Sequence, residues 1–247
     1  MKIIFLGTNG WYDTKIGNTL CILIDSKDYY VILDAGNGIH KLNSYFHFDK
    51  ATFLFLSHFH LDHVVGLHIL NKFKFSKGLK IVGPKGTRSI VNILLNKPFS
   101  MPMSDLPFPV EVFELPDDRE KIPFEVLGLE LCHVVLTMGY RIILNGKSIA
   151  FCPDTGYCEN AVNLAKDADL LIAECAYLPN EEFSHWPHLN PEYAAKIAKE
   201  ANASQLALVH FDANRYPTIE LRLKAESAAK NIFSNSFAAM DDMQIDI

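Results

Sequence analysis

Ser57-His58-Phe59-His60-Leu61-Asp62-His63 decides how the rest of this 247-residue chain is read. The stretch follows the apolar run Ala51 to Leu56 and precedes Val64 to Leu70, a buried strand and then the start of a helix. Four potential metal ligands therefore crowd one strand-to-helix turn. In extended backbone, side chains two apart share a face, so His58 and His60 can grip one ion together. Asp62 and His63 come a step later, where the chain turns, and point at a second position beside the first. Imidazole mixed with carboxylate suits zinc, with iron or manganese as alternatives. A lone histidine here would be an ordinary core or surface residue. Three histidines and an aspartate ending a hydrophobic strand are costly to desolvate unless paired or metal-bound.

The surrounding chain sets the bounds. Its length allows a sizeable core, and 49% hydrophobic with 21% charged residues is ordinary for a globular protein. The opening run Met1 to Gly7 is too short for a signal segment and no stretch has the length of a membrane span, so a cytoplasmic protein is expected. Cys21, Cys132, Cys152, Cys158 and Cys175 form no Cys-x-x-Cys pair, against a zinc knuckle or a disulfide framework. A net charge of −6 gives no basic bias of the kind long nucleic acid requires.

Strands are expected at Lys2 to Thr8, Thr19 to Asp25, Tyr29 to Asp34, Lys80 to Gly83, Val110 to Leu115, Phe124 to Leu127 and Leu129 to Val135. Asn145-Gly146 between apolar runs is a hairpin signal. Further on, strands at Asp169 to Glu174 and Gln205 to His210 alternate with helices at Glu159 to Lys166, Pro191 to Glu200 and Thr218 to Phe233. Earlier helices are expected over Gly38 to Phe46, from Val64 through His68, and over Thr87 to Asn96. His68 reads as a helix-face residue, and a last strand, Met243 to Ile247, as the closure of an edge. The Pro-Met-Phe stretch Lys97 to Pro109 is a loop, either a substrate-side flap or a packed connector. Asp34, closing an apolar run, either caps the next turn or orients a ligand histidine. No linker or repeat interrupts the pattern, so residues 1–247 are treated as a single domain: two packed sheets with helices outside.

A two-ion turn needs distant partners at other strand ends. His133, Asp154 and His210 each stand where an apolar strand runs out. The His-x-His-x-Asp-His turn, Cys132-His133 leading to Gly139-Tyr140-Arg141, Pro153-Asp154-Thr155-Gly156, Ala168-Asp169 through Glu174, His188-Leu189-Asn190-Pro191-Glu192 and Leu208-Val209-His210-Phe211 span nearly the whole chain. On these segments it resembles the metallo-β-lactamase superfamily, and within it the ribonuclease Z-like branch and its phosphodiesterase relatives.

The resemblance implies an α/β protein, an αββα sandwich of two mixed β-sheets flanked by helices. It also implies two divalent ions, zinc first and manganese or iron as alternatives. His58, His60 and His133 would hold one, Asp62, His63 and His210 the other, and Asp154 would bridge them. The reaction it implies is attack on a phosphodiester by a hydroxide shared between the ions, held in line by Asp62. His188 would protonate the leaving alkoxide, oriented by Glu174, with His185 as the competitor for that role. Members that process transfer RNA usually carry a long arm between the segments matching His133 and Asp154. Here only the Asn145-Gly146 hairpin joins them, and Cys152-Pro153 and Leu189-Asn190 replace the branch's usual small and hydroxylic residues. The expectation is therefore a phosphodiesterase on a small-molecule or short-oligonucleotide diester. The alternatives are a ribonuclease Z-type transfer-RNA 3′-processing endonuclease and a hydrolase of a carbon ester, lactone or sulfate ester. Di-iron redox chemistry is disfavoured because such members carry glutamate where His60 stands. A silent scaffold would leave buried ligands unused. Related enzymes are often homodimers, and the Lys97 to Pro109 loop is a candidate contact.

Overall fold

In chain order the first strands are β1 (Lys2–Gly7), β2 (Asn9–Gly10), β3 (Cys21–Asp25), β4 (Tyr29–Leu33), β5 (Ala51–Phe55), β6 (Leu79–Gly83) and β7 (Val110–Glu114). They are followed by β8 (Glu125–Glu130), β9 (Met138–Leu144), β10 (Lys147–Cys152), β11 (Leu170–Glu174), β12 (Leu206–Val209), β13 (Phe211–Asp212), β14 (Ser236–Ala238) and β15 (Gln244–Asp246). The α-helices are α1 (Leu61–Val64), α2 (Thr87–Leu94), α3 (Glu159–Ala165), α4 (Pro191–Glu200) and α5 (Ile219–Lys230). These come from a computed structural model describing residues 1–183 and 185–247.

Alternation along the strands builds the layers. Seven strands form one sheet in the order β15-β1-β3-β4-β5-β6-β7, and six form the other, β14-β12-β11-β10-β9-β8. Ile3, Phe5, Ile22, Ile24, Phe53 and Phe55 of the first sheet meet Ile149, Phe151, Leu170, Ile172 and Val209 of the second in one shared core. The intervening residues face outward. Ile4, Leu23, Ile32 and Leu54 pack on Ile39, Leu67, Leu70 and Val91, whereas Ala150, Leu171 and Leu208 pack on Leu164, Ile197 and Ala225 of α3, α4 and α5. The result is the αββα sandwich. Each fully buried Phe or Ile contributes roughly 1.5–3 kcal/mol relative to exposure. Both sheets are mixed: β4 to β7 and β10 to β12 pair in parallel, whereas β1–β3, β8–β9 and β9–β10 are antiparallel. The C-terminal strand closes an edge by pairing with β1. Asn145 and Gly146 take φ values of 52° and 76°, the left-handed pair that a two-residue hairpin needs.

Three expectations change. Residues 124–135 contain one strand, Glu125–Glu130, where two are expected. Beyond it the chain loops out so that Leu131 N–H reaches Thr137 O at 2.8 Å, leaving Val134, Val135 and Leu136 exposed. Those apolar residues imitate a strand, but the excursion delivers His133 inward. The segments after β4 and α1 are 3-10 helices, Asn37–Ser44 and Val65–Lys72, wound tighter than expected. The Lys97 to Pro109 loop does not, among the described residues, line the main cavity as a flap would; it buries Phe108 against Phe75 and leaves Phe99 and Met101 exposed. Among the described residues, no helix is long and apolar enough to cross a membrane.

Candidate dinuclear metal centre

Every expected donor lies at one rim of the sandwich. β5 runs into the Ser57–His63 turn, β8 is followed by His133, β10 by Asp154 and β12 by His210, and Glu174 ends β11. Ligand sites of α/β sheets commonly gather outside the carboxyl ends of parallel strands. α4 opens with Pro191, and the Asn190 side chain accepts from Tyr193 N–H at 2.8 Å. This cap explains the Leu189-Asn190-Pro191 run and fixes His188 in the loop just before it.

Two donor groups result. Atoms of His58, His60, His133 and Asp154 lie within 4.8 Å of one another, as do those of Asp62, His63 and His210. Asp154 faces both: Oδ1 stands 3.1 Å from His63 Nε2 and 3.2 Å from His210 Nε2, and Oδ2 3.8 Å from both His58 Nε2 and His133 Nε2. Asp62 Oδ2 is 3.3 Å from His210 Nε2 and 3.6 Å from His63 Nε2. Of the two readings of Asp34, the orienting one holds: the carboxylate does not cap the turn that follows it. Its oxygens accept from Ser57 N–H and Ser57 Oγ–H, each at 2.8 Å, and pair with His63 Nδ1 at 2.8 Å, which turns His63 Nε2 toward the second group.

The arrangement fits a pair of cations. His133 Nε2 and Asp154 Oδ1 are buried without a hydrogen-bond partner among the described residues, although other donor atoms lie close by. Imidazole nitrogens stand only 2.9 Å apart (His58 Nε2 and His60 Nδ1) and 3.1 Å apart (His63 Nε2 and His210 Nε2). Lone pairs converging in this way suit a shared ion better than mutual hydrogen bonding. Burial pushes His58 down to about 2 and lowers His60 and His133, so these rings are neutral and their nitrogens are free to ligate. For His63 and His210 burial also works downward, but Asp154 and Asp62 outweigh it and hold both above the usual histidine range. The carboxylates of the second group thus favour positive charge between them, whether from protons or from a metal.

The remaining expected residues sit beside these groups. Glu174 Oε1 accepts from Thr155 N–H at 2.6 Å and pairs with His188 Nδ1 at 2.7 Å, and Oε2 accepts from Ala176 N–H at 3.1 Å. A ring nitrogen of His188 lies within 4.8 Å of the donor atoms of Asp154 and His210. His185 is exposed on the outer rim of the same cavity, which has a volume of about 890 Å³.

Sequence reasoning missed the N-terminal support. Trp11 N–H donates to Asp62 Oδ2 at 2.7 Å from a left-handed backbone, φ 72°. Gly10 lies under His210, where an added Cβ would stand 2.5–2.8 Å from three ring atoms. The Gly7-Thr8-Asn9-Gly10 turn was visible, but nothing local connects it to residues 62 and 210. Gly10→Ala is expected to displace the His210 ring and weaken binding at the second position roughly 10- to 100-fold. Calorimetric zinc titration should show one tight and one weakened event.

With this geometry in place, comparison with known proteins is decisive: the sequence profile of a β-lactamase superfamily domain matches residues 29–211. The chain belongs to this superfamily. Among curated β-lactamase superfamily relatives it is similar to ribonuclease Z of Sulfurisphaera tokodaii, 25% identical over 296 aligned positions covering 97% of this chain and 96% of that protein. It is also similar to the probable metallo-hydrolase YhfI of Bacillus subtilis, 26% identical over 249 positions covering 95% and 94%. The crystal structure of YhfI, described as a metallo-β-lactamase fold protein, superposes with a TM-score of 0.81 at 23% identity, covering 99% of each chain. Human tRNase Z, short form, gives 0.76 at 22% identity, covering 100% and 99%. These superpositions establish the metallo-β-lactamase fold.

Proposed function

We propose that this superfamily member is a dinuclear, zinc-dependent phosphodiesterase acting on a short nucleotide-type diester. The observation that carries the reading is Asp154, which offers one carboxylate oxygen to each donor group. His58, His60 and His133 would hold one ion, and Asp62, His63 and His210 the other. Two bound divalent ions supply a nucleophile at neutral pH and polarise a phosphoryl oxygen.

The chain's own groups supply the rest. Asp62 is held by the Trp11 N–H beside the second group, where it can accept a hydrogen bond from the attacking water and keep it in line. His188 keeps its proton because Glu174 outweighs the effect of burial, pushing its pKa up to about 9. It is therefore armed as the acid for a departing alkoxide at neutral pH. Glu174, fixed by the Thr155 and Ala176 N–H groups, sets which ring nitrogen faces the cavity.

A second reading, transfer-RNA 3′ processing, is favoured by the name of the Sulfurisphaera relative. Against it stands length: an alignment of 296 positions contains segments that this 247-residue chain lacks, whereas that with YhfI runs over 249. Only the short hairpin of β9 and β10 joins the His133 loop to Asp154.

Metal analysis beside a substrate panel tests the proposal. The panel is a chromogenic diester, 2′,3′- and 3′,5′-cyclic nucleotides, a precursor transfer RNA and a lactone. Wild-type protein is expected to hold two zinc ions and turn over the small diesters, and His60→Ala to lose metal and activity together. Turnover of the lactone alone would overturn the reading, and cleavage of the RNA alone would favour the second one.

A further inference from the structure

The chain has two tryptophans, and both stand on the lip of the cavity over the donor groups. Trp11 is 66% exposed and Trp186 48%, so neither indole is there to fill the core. Trp11 is the more telling. A bulky residue at φ 72° is strained, and glycine would occupy that backbone more readily. Its N–H binds Asp62, a task any non-proline residue performs, so the strain and the exposure together call for a use of the ring itself.

The two residues adjoin different donor groups. Trp11 hangs from Asp62, in the second donor group. Trp186 lies parallel to His60, with centroids 6.4 Å apart and planes 6° apart, and 6.1 Å from His133, both in the first group. Its backbone is tied down by Tyr177, whose hydroxyl donates to Trp186 O. Asp154, between the groups, marks where a bound phosphate would sit. One ester arm would then run toward each tryptophan.

Charge limits what those arms can be. Among the described residues, Arg215 is the only Lys or Arg side chain lining the cavity. It is engaged by Asp212 at 2.9 Å and Glu181 at 3.0 Å, and its guanidinium lies over the Tyr177 ring. Among the described residues, no unpaired Lys or Arg lines the cavity to follow a string of phosphates. Exposed flat rings are how proteins hold the bases of single-stranded nucleic acid by stacking, and without a cationic groove beside them such rings suit a substrate with few phosphates.

Building on the phosphodiesterase reading, we propose that Trp11 and Trp186 are two stacking platforms that receive the bases of a dinucleoside monophosphate, one on each side of its phosphate.

The zinc-loaded protein tests this with a dinucleoside monophosphate and a base-free diester, glycerol cyclic phosphate. Trp11→Gly removes the ring from a backbone that suits glycine, so it is expected to fold, as a melting curve will check. Trp186→Ala retains the carbonyl that Tyr177 holds. Each change should lower the ratio of kcat/KM for the dinucleotide to that for the base-free diester about ten- to a hundred-fold. A non-hydrolysable methylenephosphonate dinucleotide should quench the fluorescence of wild-type protein and of each single variant. An unchanged ratio in both variants, with the base-free diester still hydrolysed, would overturn the platforms and leave the phosphodiesterase reading standing. If no diester is hydrolysed at all, that reading fails, and the quenching experiment alone decides whether the platforms exist.

Discussion

Asp154→Ala is expected to reduce kcat/KM on every substrate by roughly a thousand-fold or more, because a centre that has lost its bridge forfeits several kcal/mol of transition-state stabilisation. The geometry behind the size of this effect is that each oxygen of one buried carboxylate faces a different donor group, at 3.1–3.2 Å on one side and 3.8 Å on the other. No other carboxylate in the cluster is so placed; Asp62 approaches only His63 and His210. Metal content should fall below two ions per chain in the same variant. Asp154→Asn, which keeps the shape but not the charge, should lie nearer to alanine than to wild type. Two ions retained at wild-type affinity in Asp154→Ala would show that the two groups bind independently, and the shared centre would have to be abandoned.

His188→Ala is expected to cost about 10²- to 10⁴-fold in kcat on diesters whose leaving group is an unactivated alcohol, and far less on a nitrophenyl diester that needs no proton. A merely structural histidine would depress both alike. The alkaline limb of the rate profile provides a second readout. Burial lowers the pKa of His188, but the charge and hydrogen bond of Glu174 outweigh it, raising the pKa from 6.5 to about 9. The acid form is therefore present below that value and lost as pH rises through it. By linkage, the stabilisation from the His188–Glu174 pair is complete below about 6.5 and disappears over the same rise. Glu174→Gln removes the raising charge, so its alkaline limb should move to lower pH, which steady-state rates across the range will show. A limb that does not move would assign the ionisation to another group.

Much of the site was legible because its signals are local. The spacing of His58, His60, Asp62 and His63 is set by one strand end, and His133, Asp154 and His210 each follow an apolar run. A polar, metal-competent residue where such a run stops is costly unless it has a partner, and that cost is visible without coordinates. The end of β8 was misread for the converse reason. Val134, Val135 and Leu136 carry a strand's composition on an exposed loop, and only the pull of His133 into the cluster explains the departure.

Other features had no local signal at all. Asp34 binds His63 across 29 positions, Trp11 binds Asp62 across 51, and Gly10 underlies His210 from the far end of the chain. Which face of each strand met the opposite sheet was equally hidden, since strands buried on both sides are apolar throughout. The linear order of residues thus determined the layered architecture and the candidate donors, because strand periodicity and the cost of burying polar groups are properties of short segments. The placement of Asp154 between the two donor groups, the orientation of each imidazole and the two open indoles at the rim were decided only by tertiary structure, because those depend on distances between segments that meet only after the two sheets have packed.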